Sequence, residues 1–73
     1  MKKTFDEISE NITNEYSILQ DVMDYREILE FFDNFMLEIK IELTNKKIDE
    51  KEAILLTAMV TKAYSSLLKM IEG

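Results

Sequence analysis

The stretch Tyr16-Ser17-Ile18-Leu19-Gln20-Asp21-Val22-Met23-Asp24-Tyr25-Arg26-Glu27-Ile28-Leu29 decides the fold, because the apolar stripe changes sides within it. Upstream, large apolar residues fall at Phe5, Ile8, Ile12, Tyr16, Leu19 and Met23, in steps of three or four. Downstream, a second stripe runs through Tyr25, Ile28, Leu29, Phe32, Phe35, Met36, Ile39 and Leu43. Each helical residue turns the chain by about 100°, so on one continuous helix the two stripes would face roughly 200° apart. One core cannot bury both. Either the chain turns near residues 21–24, or residues 5–43 form a single rod with partners on both sides.

The rest of the chain favours helices throughout. There is no Pro, the only Gly is Gly73, and no segment alternates with period two. The clearest joint is Thr44-Asn45-Lys46-Lys47-Ile48-Asp49, where Asn45 is expected in the left-handed position that ends a helix. Asp49 and Glu52 fit a capping box, with Ile48 and Ala53 as its hydrophobic staple. Asp24 and Glu27, flanked by Met23 and Ile28, repeat the arrangement where the stripe switches, and Thr4 with Glu7 is a third candidate without a staple.

Helices are therefore expected at about 5–22, 25–43 and 50–71, the first weakened by the poor helix formers of residues 9–14. The third carries the stripe Ala53, Leu56, Val60, Ala63, Tyr64, Leu67 and Ile71. The predicted fold is all-α, a three-helix bundle in a single domain spanning residues 1–73. The alternative is a long-helix hairpin, in which the third helix folds back on a 5–43 rod and two hairpins pair as a dimeric four-helix bundle.

Composition narrows the function. A chain of 73 residues buries a modest share of its surface, and with no Cys it has no disulfide staple, so it must pack well or share a core. Without His or Cys, the usual base, nucleophile and soft-metal ligands are missing. No Gly-rich loop is present to cradle phosphate, and no calcium-loop pattern appears. One enzymatic idea remains, a magnesium-dependent nucleotide pyrophosphatase, which would use acids one helical turn apart such as Glu27 with Glu30 or Glu7 with Glu10. A solvated acidic face and helix caps explain those pairs more simply. No cofactor is expected.

The basic N-terminus, Met1-Lys2-Lys3, has no apolar run behind it, and no stretch nears about 18 uncharged apolar residues. Neither a signal peptide nor a membrane span is expected, and a cytoplasmic location follows by default. The Lys, Ile, Asn and Glu usage fits an AT-rich genome such as that of a phage or plasmid.

Two features point to partners. The first is apolar surplus. Leu37 and Ile41 lie off the stripe of the second helix, Leu55 and Met59 off that of the third, and Phe31 is also off-axis. Broad apolar faces are common in small domains, but two pairs spaced by four make contiguous patches and are read as an interface. The second is charge. Of the net −6, residues 1–45 carry eleven acids against four bases and residues 46–73 four against five. Such a field disfavours direct contact with nucleic acid or anionic lipid and steers toward a basic protein surface.

The expected function is a small acidic protein-binding module that assembles with itself as a dimer and regulates or inhibits a partner protein. A nucleic-acid mimic that blocks a DNA- or RNA-binding protein is the alternative from another class.

Overall fold

The computed structural model describes residues 3–73; Met1 and Lys2, the start of the basic N-terminus, lie outside the described residues. Three helices follow one another: α1 (Lys3–Val22), α2 (Tyr25–Thr44) and α3 (Glu50–Glu72). They pack as an all-α three-helix bundle measuring 39 × 16 × 16 Å. α2 and α3 share the largest interface, α1 leans on α3, and α1 and α2 touch least.

The turn that separates the two stripes occupies Met23 and Asp24 alone. Met23 is left-handed (φ 55°), and its amide donates to the Leu19 carbonyl at 2.9 Å, which closes α1 with a single-bond αL cap. Asp24 is extended (φ −103°, ψ 118°) and its carboxylate accepts from the amides of Arg26 (2.9 Å) and Glu27 (3.4 Å). Two residues thus reverse the chain, and the rod over residues 5–43 is not formed.

At the second joint the capping box is complete. The Glu52 amide donates to Asp49 at 2.8 Å, and the Asp49 amide donates to Glu52 at 3.0 Å. Ile48, just before the cap, is buried in the core with Ala53, as a staple requires.

Three local expectations are corrected. Asn45 is not left-handed (φ −81°); Lys46 is (φ 61°). α2 runs one residue further than expected, with the Thr44 hydroxyl donating to the Lys40 carbonyl at 2.9 Å, so the whole terminator moves along by one. Lys46 then bonds to the Leu43 carbonyl (3.1 Å) and Lys47 to that of Glu42 (2.9 Å), the paired bonds of a Schellman motif.

Thr4 and Glu7 lie inside α1, which opens at Lys3, so they cannot box its start. Residues 9–14 do not delay α1 either. Ile8 and Ile12 are buried on either side of the weak stretch, and packing of an apolar face outweighs a few tenths of a kcal/mol of propensity per residue.

The core is apolar throughout, with no buried polar residue among those described. Its centre is Ile8, Ile28, Leu56, Val60 and Leu67. Tyr16 and Ser66 bridge α1 to α3 through their hydroxyls at 2.9 Å, and the Ser9 hydroxyl donates to the Met59 sulfur at 3.7 Å.

α3 is, by length and composition alone, apolar enough to cross a membrane (mean hydropathy 1.3 over its best window), although it holds no uncharged run of about 18 residues. In the bundle only part of that apolarity is inside: Ala53, Leu56, Val60 and Leu67 are buried against the other helices, while Ile54, Leu55 and Met70 stay exposed.

Candidate docking surface

The five candidate interface residues separate into two groups. Phe31 is a correction: it is only 5% exposed and belongs to the core. Its ring meets that of Phe35 edge-on, with centroids 5.2 Å apart and planes at 68°. The reason is that α2 serves two neighbours. A stripe read as a single line underestimates the buried arc, and Phe31 falls within that arc, in the cluster to which α1 brings Ile8, Ile12 and Leu19. Met59 is likewise drawn in, half-buried against α1 beside Ser9. The proposed Leu55–Met59 patch is therefore divided.

Leu37, Ile41 and Leu55 remain in solvent, Leu37 by 57%. Two further residues join them. Ile54 is the most exposed large apolar side chain among those described, at 69%. It stands one residue beyond Ala53, about 100° round the helix, a rotation visible in the sequence had the whole wheel been drawn rather than one stripe. Met70 is exposed at the other end of α3.

Of these, Leu37 and Ile54 line a shallow groove between α2 and α3, whereas Ile41, Leu55 and Met70 lie outside it. Met36, Leu37, Lys40, Leu43, Ala53 and Thr57 line one part of it, and Leu43, Glu50, Ala53, Ile54 and Thr57 the adjoining part. Leu43, Ala53 and Thr57 are common to both, so the groove is continuous. Its floor is narrow because Ala53 and Thr57 are small, which lets another backbone approach closely. Its walls are apolar, with one cation (Lys40) and one carboxylate (Glu50) at the rim.

The acids gather elsewhere. Glu7 and Glu10 of α1 and Glu38 and Glu42 of α2 line a separate depression between those helices, together with Lys47. Asp24, Asp49 and Glu52 serve as helix caps. Among the described residues no group of three acids is placed to share a metal ion.

Further along, Tyr25 and Leu29, expected in the core stripe of α2, are exposed. They sit at the end of the bundle where α2 begins. Ile28 between them is fully buried, and Phe32 is half-buried, its ring stacking at a tilt on Tyr64 with centroids 4.5 Å apart.

The arrangement defines a class: a miniature three-helix bundle with an open, apolar-walled groove on one interhelical face and an acidic depression on another. No family model matches the chain, and neither a curated protein nor a solved structure does.

Proposed function

We propose that the chain is a non-catalytic protein-binding module that docks on a partner through the α2–α3 groove and regulates or inhibits it, and that also assembles with itself. One observation carries the docking role: Leu37 of α2 and Ile54 of α3, 57% and 69% exposed, both line that groove, and Ile41 and Leu55 add exposed apolar surface on the same two helices. Scattered exposed apolar residues are ordinary on small proteins, but two that line one apolar-walled groove from different helices mark a surface.

The size is adequate. A specific interface takes about 800 Å² from each partner, roughly 15% of the 5221 Å² this bundle exposes, which is less than one of its three faces. The occupant that fits a groove with small residues on its floor and apolar walls is an amphipathic helix. The excess of acids on α1 and α2 favours one flanked by Lys or Arg.

A second reading, mimicry of nucleic-acid phosphates, draws support from the four glutamates of the α1–α2 depression. Salt separates the two. Capture through an apolar groove persists at high ionic strength, whereas capture through the glutamates weakens steeply.

The test is the double substitution Leu37→Asp/Ile41→Asp, with circular dichroism to confirm the fold and affinity capture to read the partner. The variant should keep its helicity and melting temperature and lose the protein that the parent retains. A variant that still captures the same protein removes the groove from the mechanism.

A further inference from the structure

The two-residue turn between α1 and α2 interrupts a seam that the folded chain leaves open. Ile18, Val22, Tyr25 and Leu29 are each 39–57% exposed and are spaced by four, three and four. The same alternation continues through Phe32, Met36, Ile39 and Leu43, so eight apolar residues keep one coiled-coil register across the joint. In the bundle the first two lie on α1 and the rest on α2, and the register is broken only by the conformation of Met23 and Asp24.

That conformation is a costly one. Met23 holds a left-handed backbone without being Gly, a region in which its Cβ crowds the following carbonyl. In a continuous helix Met is a good helix former and the crowding vanishes. Short, strained connections of this kind favour exchange of the element they connect.

The spacing also has a symmetry. Ile18 and Leu29 are equally distant from the bond joining Met23 to Asp24, and so are Val22 and Tyr25. Two continuous helices running antiparallel, with their twofold axis at that bond, set Ile18 of one copy against Leu29 of the other and Val22 against Tyr25. These are the layers an antiparallel coiled coil requires.

We propose that a second copy of this chain occupies the seam, by exchange of α1. In the exchanged dimer Met23 and Asp24 become helical, residues 3–44 form one helix about 60 Å long, and each α1 docks on the α3 of the other copy. The seat it takes is complementary by construction, because α1 already fits it in the closed chain. It packs mainly on α3, through Ser9 on Met59 and Tyr16 on Ser66, and hardly on α2. The exchange therefore keeps the contacts of α1, relieves Met23 and buries four side chains that the monomer exposes. It gives up the Asp24 cap. This deepens the self-assembly part of the reading above, and the four exposed residues of the seam, Ile18, Val22, Tyr25 and Leu29, are not among those that line the groove.

Single-cysteine chains test it, because the natural chain has none. A Ser9→Cys chain and a Met59→Cys chain, carrying different tags, are unfolded together, refolded at the highest soluble concentration and treated with a short bis-maleimide. Exchange brings Cys of one chain beside Cys of the other and yields a covalent heterodimer. The yield should rise several-fold when Met23→Ala and Asp24→Ala are added to both chains, and fall with Met23→Gly, which eases the closed turn. Circular dichroism confirms that each chain is folded. Absence of the heterodimer from the parent pair, or a dimer by light scattering that does not cross-link, overturns the proposal; the second result would mean pairing through another face.

Discussion

Phe31 and Leu37 lie six residues apart on α2, one inside and the other outside, so truncating each in turn tests the whole packing argument. Phe31 is almost fully buried and meets Phe35 at 5.2 Å. A Phe buries at least about 150 Å², and removing all but its Cβ loses on the order of 100 Å² of that. At about 25 cal/mol per Å² the transfer term is roughly 2.5 kcal/mol, and the cavity left behind brings Phe31→Ala to about 3–4 kcal/mol. Leu37 is 57% exposed, so less than half of its side chain is lost from contact. Ala is also the better helix former, and Leu37→Ala should cost no more than about 0.5 kcal/mol.

A domain of this length has a total stability of about 4–11 kcal/mol. Phe31→Ala therefore removes about a quarter or more of it and lowers the melting temperature by roughly 12–30 °C, while Leu37→Ala moves it by a few degrees at most. Thermal and urea unfolding followed by far-ultraviolet circular dichroism measures both. Phe31→Leu keeps most of the volume and should fall between them at about 1–1.5 kcal/mol, which preserves the comparison if the alanine variant does not fold. Equal costs for Phe31→Ala and Leu37→Ala would falsify the assignment of Phe31 to the core, and with it the claim that α2 buries a wide arc against two neighbours.

Two further outcomes follow from the joints. Asp49→Ala removes the acceptor of the Glu52 amide and should cost about 1–2 kcal/mol, Glu52→Ala, which removes the acceptor of the residue-49 amide, about half as much, and the double variant less than the sum because each bond positions the other; a thermal melt of each decides it. Lys46→Gly should stabilise the bundle by about 0.5–1 kcal/mol, because Lys46 is exposed and left-handed and Gly relieves the crowding, whereas a lower melting point would show that the terminator of α2 is not the Schellman motif described.

The joints were more legible in the sequence than the surfaces. The switch of stripe placed the first turn within two residues of Met23 and Asp24, because a helix cannot rotate its apolar face without breaking. Asp49 with Glu52 was readable because a capping box depends only on residues three apart. Lys46 was missed because a helix terminator is counted from the last helical residue, and Thr44 extends α2 by one. Phe31, Met59, Tyr25 and Leu29 were misplaced for a shared reason. A stripe describes one helix against one plane, whereas burial depends on how many neighbours surround each turn. Met59 gains a neighbour in α1, and Phe31 joins the core cluster that all three helices build. Tyr25 and Leu29 sit where α2 starts and remain exposed. Such information is tertiary and has no local signature in a single chain.

The two apolar regions stand at opposite ends of α2, and that separation has a consequence for affinity. Tyr25 and Ile41 are sixteen residues apart in one helix, about 24 Å along its axis. Pairing through Ile18, Val22, Tyr25 and Leu29 thus consumes the end where α1 turns into α2 and leaves the α2–α3 groove of each copy open. The twofold axis at the turn directs the two grooves to the far ends of the dimer. A partner with two copies of the recognised helix would then meet both grooves in one encounter, the second at an effective concentration set by the geometry of the dimer and not by the bulk. The short strained turn at Met23 and the exposed patch beside Leu37 are in this way parts of one arrangement: the first sets valency, the second sets specificity. A substitution at Met23 should change the avidity for a divalent partner while leaving the affinity for a single helix unaltered.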